Sequence, residues 1–174
     1  MDFMAKHHIK GIIGGGAAVG GAADQVVRQW QETLAKHGRE TQLGGELTIG
    51  YNFHIAETEE KAVKEVRIYF EENMKMFAPL GFVRDLSDDQ VSAIADSRRA
   101  QSAGLPTVED GVKAGAWLCG PPELVTEKLM AIQARYPGLE SINVGATVGT
   151  PQNVIVEQLD AFGRDIMPKF KSQV

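Results

Sequence analysis

The residues that could do chemistry begin with a glycine-rich stretch. Gly14, Gly15 and Gly16 open a run of small residues that continues to Gly21. They follow a short apolar run that includes Ile9, Ile12 and Ile13, and this run predicts a buried strand. Backbone N–H groups of such a loop can cradle a phosphate, and barrel enzymes place their active-site loops directly after strands. The run lacks the Gly-Lys-Ser/Thr of a Walker loop and does not match the dinucleotide fingerprint. Two interpretations stay open: contact of these glycines with a cofactor or substrate, and a loop that only needs a permissive backbone or tight packing.

Three polar side chains near the ends of predicted strands are candidates for binding a substrate. Residues 47–55 alternate between apolar and polar types, which predicts a strand, and Asn52 and His54 share one of its faces. Asn143 lies in a second short strand, predicted over residues 141–146. Barrel enzymes bind ligands at the carboxyl ends of their strands. We therefore predict that Asn52, His54 and Asn143 contact a small-molecule substrate, with simple packing or exposure as the alternative for His54.

The residue pattern does not indicate a metal site, a disulfide or a nucleophile with its base. His7 and His8 lack the spacing of helical metal ligands and have no carboxylate cluster beside them, so no metal site is predicted. Cys119 is the single cysteine, which excludes an intrachain disulfide and suits a reducing compartment. We expect it to be a small buried side chain. No spacing indicates a nucleophile with its base, so the catalytic residues stay unassigned.

Composition narrows the class of protein. The chain has 174 residues, 43% of them hydrophobic, and a net charge of −5. This length suits one domain, predicted over residues 1–174. The negative charge argues against nucleic acid or an anionic membrane surface as a partner. No apolar run approaches the roughly 20 residues of a membrane helix, and the N-terminus has no signal-peptide pattern. We expect a soluble, cytoplasmic protein.

Capping residues and hydrophobic periodicity place helices between these strands. Helices are predicted from about Ala23 to Gly38, from Thr58 to about Phe77, from the capping box at Ser87 to about Ala100, from Pro121-Pro122 to Pro137, and from Thr150-Pro151 onward with Val154, Leu159, Phe162 and Ile166 inward. Residues 101–115 are predicted to be a loop, and 116–120 an extended segment. This alternation implies an α/β fold with a parallel sheet. A closed eightfold barrel takes about 250 residues, so the chain has room for about half of one.

Three segments match one known family in residue type and order. They are residues 49–62, containing A-E-T-E-E-K-A, residues 118–125, L-C-G-P-P-E-L-V, and residues 158–168, ending in F-G-R-D-I-M-P. They resemble the "A-x-T-x-x-E-A" strand end, the "G-(T/S/D)-P-E-x-V" element and the closing "F-x-x-x-V-(I/M)-P" helix of bacterial-luciferase-like flavin-dependent monooxygenases. The shared order extends over almost the whole chain.

The resemblance implies a partial TIM (β/α)8 barrel, the C-terminal half of the family's fold. The chain would supply barrel strands six (about 10–16), seven (about 47–55) and eight (about 141–146), with a helix–loop insertion before the eighth. It also implies a flavin cofactor, FMN or a deazaflavin, with Gly14, Gly15 and Gly16 as its contacts here. Reduced flavin and dioxygen would oxidise a small organic substrate. In the family, five earlier strands carry most of the residues that hold the flavin.

A half-barrel needs something to complete it. Three or four parallel strands expose unpaired edge groups and an apolar face, which favours aggregation unless they are covered. We therefore expect a homo-oligomer or a second chain that completes the barrel. The alternative function is a non-catalytic half-barrel that self-associates or completes a partner chain. A truncated or proteolysed piece of an ordinary enzyme is a third possibility.

Overall fold

A computed structural model describes residues 1–14, 22–83 and 86–171. Its strands are β1 (Gly11–Ile13), β2 (Leu47–Ile55), β3 (Trp117–Gly120) and β4 (Ser141–Gly145). Its helices are α1 (Asp2–Lys6), α2 (Ala22–Lys36), α3 (Glu59–Phe77), α4 (Asp88–Ile94), α5 (Ser97–Ala100), α6 (Val108–Lys113), α7 (Pro122–Arg135), α8 (Gln152–Ala161) and α9 (Pro168–Lys171). A π-helical turn, Phe162–Ile166, follows α8. Within these ranges no helix has both the length and the apolar character needed to span a bilayer.

The central strand of the sheet is β2, which pairs in parallel with the other three strands. Thr48 and Ile49 of β2 pair with both β1 and β4. Asn52 of β2 pairs with both β3 and β4. Because a strand has only two edges, β1 and β3 must follow one another along one edge of β2, and β4 must occupy the other. The strands β1, β2 and β4 are therefore neighbours in chain order, as consecutive strands of a barrel are.

One face of the sheet is packed, and we call it the outer face. On β2 it carries Leu47, Ile49, Tyr51 and Phe53, all of them buried. The helices α2 and α7 cover it with a cluster that includes Val27, Trp30, Leu34, Val125 and Leu129. Burial of a leucine- or isoleucine-sized side chain contributes about 1.5–3 kcal/mol relative to exposure. This face therefore anchors the helices against the sheet.

The opposite, inner face carries Thr48, Gly50, Asn52 and His54 of β2. At its carboxyl end, Trp117 and Cys119 pack against the buried side of α3. Toward its amino end no described residue covers it, and Ile12 is 77% exposed. The expectation that the strand around Ile12 is buried was wrong, because only Ile13 reaches the core and Ile12 points to the open side. In a closed barrel this face is the packed interior.

Two predicted segment boundaries were also wrong. The helix that begins with the Ser87 capping box ends early, because the Asp96 side chain accepts hydrogen bonds from two backbone N–H groups and starts α5. The predicted loop 101–115 contains α6, which opens with a capping box between Thr107 and Asp110. An aspartate takes the place of the usual glutamate or glutamine of this motif, so the sequence pattern concealed the helix start. Val108 then buries its side chain beneath α3.

One residue of the helix predicted from Thr150-Pro151, Leu159, does not face inward as predicted. Leu159 is 50% exposed, whereas Gln158 is 7% exposed and lies inward. Thr150 does not cap α8, because its hydroxyl pairs with that of Thr147 and the N-cap position belongs to Pro151. The physical reason for the burial of Gln158 is a pair of hydrogen bonds to β2, described below. Ile166 is fully buried, as predicted.

Candidate functional site

A cleft of about 530 Å³ opens where β2 ends. It lies between the first half of α3, the inward side of α8 and the π-helical turn. Its walls include His54 and Ile55 from β2, Lys61, Glu65 and Tyr69 from α3, Val154 and Gln158 from α8, and Arg164 from the π-helical turn. π-Helical turns are rare and frequently occur at functional sites. The carboxyl end of a parallel strand is also where ligands bind in this fold class.

His54 is the most buried polar group of the cleft. Its side chain is 4% exposed, and its Nε2 lies 3.0 Å from Oε2 of Glu65. β2 brings the ring to the inner face, and α3 places Glu65 above it. A histidine buried without a partner would lose hydrogen bonds to water, at a cost of about 1–3 kcal/mol. Glu65 therefore fixes the orientation of the imidazole.

Gln158 holds the end of β2 in place. Its Oε1 accepts a hydrogen bond from the backbone N–H of Ile55 at 2.5 Å, and its Nε2 donates to the Ile55 carbonyl at 3.0 Å. β4 has already ended at the level of Asn52, so this edge of β2 has no strand partner at Ile55. The glutamine amide replaces the missing strand with the same donor and acceptor pair. Sequence reasoning missed Gln158, because nothing distinguishes it from a surface glutamine.

The two cations of the cleft are already paired. Lys61 pairs with Glu57 and lies 3.8 Å from Glu65, and Arg164 donates to both carboxylate oxygens of Asp165. The hydrogen bond from Lys61 lowers the pKa of Glu57, and that from Arg164 lowers the pKa of Asp165. No described cation of the cleft is left for a phosphate. Nor do the described residues include a group of three or more metal-ligating side chains that could hold a metal ion.

The predicted site residues divide between two places. Asn52 and Asn143 lie on the inner face, on adjacent strands: Asn52 pairs with Gly145, and Asn143 pairs with Gly50. Among the described residues, none hydrogen-bonds either asparagine side chain. Next to them, a Cβ on Gly145 would meet no atom of the described residues within 4 Å. The inner face is therefore open beside both asparagines.

The other predicted site residues lie farther from Asn143 and the open part of the inner face. His54 follows Asn52 on the same face of β2 but lies beneath α3, in the wall of the cleft. Gly14 follows β1 directly and is exposed. Gly15 and Gly16 lie outside the described residues. The contact of Gly14, Gly15 and Gly16 with a cofactor, and of Asn52, His54 and Asn143 with a substrate, stays a prediction.

Cys119 is buried in the sheet beneath α3, as expected. It is 0% exposed, and burial raises the pKa of its thiol to about 12. Because the thiolate is the reactive form, we expect native protein to react with a thiol reagent such as DTNB at least about tenfold more slowly than protein in urea. Absorbance of the released thiolate measures both rates. Equal rates would show that Cys119 is accessible and contradict its place in the core.

No protein-family model matches the sequence, and no curated protein matches it. Solved structures do resemble the fold. The oxygenating constituent of 3,6-diketocamphane monooxygenase from the CAM plasmid of Pseudomonas putida, a type II Baeyer-Villiger monooxygenase in complex with FMN, aligns with a TM-score of 0.65 at 16% identity over 97% of this chain and 44% of that chain.

Two further structures are similar over almost all of this chain. The coenzyme F420-dependent tetrahydromethanopterin reductase of Methanopyrus kandleri has a TM-score of 0.60 at 17% identity, over 98% of this chain and 49% of that chain. Monooxygenase RslO1 from Streptomyces bottropensis has a TM-score of 0.58 at 15% identity, over 97% of this chain and 44% of that chain. The chain thus spans less than half the length of each protein. The fold is a mixed α/β fold with a parallel sheet that matches part of the barrel of these structures. This confirms the predicted fold class.

Proposed function

We propose that the chain is part of a flavin-dependent oxidoreductase, a luciferase-like monooxygenase that uses reduced FMN and dioxygen to oxidise a small organic molecule. The observation that carries the proposal is the open, polar stretch of the inner face at Asn52, Asn143 and Gly145. It lies toward the carboxyl end of the strands, in a fold that a similar protein uses while bound to FMN. The three segments that resemble this family support the same proposal.

The described residues fit one part of FMN and not another. The asparagine amides can donate to and accept from the polar edge of a flavin ring, and Gly145 leaves space beside them. A phosphate favours a free cation or a set of backbone N–H groups. The cations of the cleft are paired, so we propose that the phosphate binds elsewhere. In this chain, Gly14, Gly15 and Gly16 are the candidates for binding it.

When bound, the flavin supplies the redox chemistry and the activation of dioxygen. The proposed role of this chain is to orient the ring through Asn52 and Asn143 and to exclude water with α3, which covers the carboxyl end of the inner face. His54 would contact the substrate from the neighbouring cleft.

We further propose that the chain is the C-terminal half of the barrel and that a second polypeptide, either another chain or another copy, completes it. Three observations support this. Ile12 is 77% exposed on the inner face. β1 and β4 each pair, within the described residues, along one edge only. The chain spans 44% of the first structural neighbour. An assembly would bury Ile12 and satisfy the free strand edges.

The test is a titration of the purified chain with FMN. We expect the flavin fluorescence to be quenched with a dissociation constant in the micromolar range or tighter, and light scattering to show an assembly larger than a monomer. A monomer without affinity for FMN would contradict completion of the barrel by a second copy of this chain. Assembly without flavin binding would favour the second candidate, a non-catalytic half-barrel, for which the exposed Ile12 and the free strand edges already argue.

A further inference from the structure

We infer that the cleft beside His54 is a binding site for a small neutral or cationic molecule that carries a hydroxyl or N–H donor, and that Nδ1 of His54 accepts the hydrogen bond of that donor. The inference rests on the residues around His54 and needs no flavin. It assigns a hydrogen-bonding role and a ligand class to a group that the flavin proposal leaves as a general substrate contact.

Glu65 determines the tautomer of His54. Oε2 of Glu65 lies 3.0 Å from Nε2 of the ring. An ionised carboxylate accepts hydrogen bonds and cannot donate them. Nε2 must therefore carry the proton in this pair. In the neutral ring the other nitrogen, Nδ1, is then a lone-pair acceptor. Glu65 thus decides which kind of ligand group His54 can receive.

A ligand donor needs access to Nδ1 of His54. No described residue forms a hydrogen bond with this atom. Within the described ranges, Thr41 Oγ1 is the only fully buried side-chain nitrogen or oxygen that has no hydrogen-bond partner. Nδ1 is therefore not sealed in the core, although the side chain of His54 is only 4% exposed. His54 lines the cleft, and the proposed role places Nδ1 toward that opening. A deeply placed acceptor without a hydrogen-bond partner among the described residues favours a ligand that donates a hydrogen bond to it.

The charged groups of the cleft determine which ligand charge it favours. The titratable groups that line the cleft besides His54 include Glu57, Lys61 and Glu65 of α3, Glu157 of α8, and Arg164 and Asp165 of the π-helical turn. Carboxylates outnumber cations among them, and both cations are already in ion pairs. An anion would meet repulsion without a free cation to offset it. The ligand is therefore neutral or positively charged.

The volume and the walls of the cleft limit the size and polarity of the ligand. The cleft has a volume of about 530 Å³ and places Tyr69, Val154 and Pro122 beside the polar groups. Apolar walls with a few directed polar atoms are typical of small-molecule sites. A compact ring or short hydrocarbon that carries one donor group fits this combination.

The tautomer is tested by long-range proton–nitrogen NMR spectra of the histidine rings at about pH 9, where imidazoles are neutral. The His54 signals are assigned by their loss in His54→Gln. We expect His54 to be protonated on Nε2 in the native chain. In Glu65→Gln both tautomers should appear, because an amide can present either a donor or an acceptor to Nε2. Glu71→Gln, on an exposed position of the same helix, should leave the tautomer unchanged. A proton on Nδ1 in the native chain would overturn the inference.

The ligand class is tested with matched aromatic probes followed by the same His54 signals. Benzyl alcohol and benzylamine should shift them, and benzyl methyl ether, which has no donor, should bind about fivefold more weakly. Benzoate should bind more weakly than the alcohol. Equal binding of the ether and the alcohol would refute the acceptor role of Nδ1, and tighter binding of benzoate would refute the charge argument. These readouts do not involve flavin, so they stand or fall apart from the FMN titration.

Discussion

Replacing Gln158 by leucine is expected to lower the free energy of unfolding by about 3–4 kcal/mol. The leucine side chain has a similar volume but can neither accept from the Ile55 N–H nor donate to the Ile55 carbonyl. Both backbone groups now have this glutamine as their partner. Both groups are part-buried, and a buried polar group left without a partner costs about 1–3 kcal/mol. The two losses add because one substitution causes both.

Urea denaturation measures this effect, and Gln152→Leu is the matched control. Gln152 is exposed in the first turn of the same helix, so its replacement should change the free energy of unfolding by less than about 0.5 kcal/mol. If Gln158→Leu were as stable as the control, the amide would not be the partner that closes this edge of β2. The position of α8 against the sheet would then need another explanation.

Several elements of the fold could be predicted from the sequence, whereas the burial of Gln158 could not. The α3 start at Thr58, the α4 capping box at Ser87 and the strand at residues 47–55 follow local rules, because a cap or an alternation is complete within a few residues. The burial of Gln158 depends on Ile55, 103 residues away. No local pattern contains that partner.

The candidate site shows the same limit. His54 and Asn52 could be placed on one face of β2, because alternation in a strand determines which residues share a face. Glu65 could not be singled out, since α3 carries several glutamates with helical spacing. Which of them meets His54 depends on the position of α3 above the sheet. The exposed Ile12 was mispredicted for a related reason: an apolar type indicates what a side chain favours, not whether its covering partner belongs to the same chain.

Replacing Gly145 by leucine is expected to weaken FMN binding about a hundredfold without destabilising the fold. Gly145 lies opposite Asn52 on the inner face, and a Cβ at this position meets no described atom within 4 Å. The new side chain would occupy the space that the flavin proposal reserves for the ring. A ring forced against a leucine must lose its contact with Asn52 or displace the backbone.

Ser141→Leu provides the control, because Ser141 lies on the same face of the same strand at its amino end. Its hydroxyl forms one exposed hydrogen bond with Thr48, so the loss of stability should stay below about 1 kcal/mol. Barrel ligands bind at the opposite end of the strands, so this variant should bind FMN as the unmodified chain does. Fluorescence titration compares the three proteins. If Gly145→Leu bound FMN as tightly as Ser141→Leu, the flavin would not lie on the inner face beside Asn52, and the proposed orientation of the ring would be refuted.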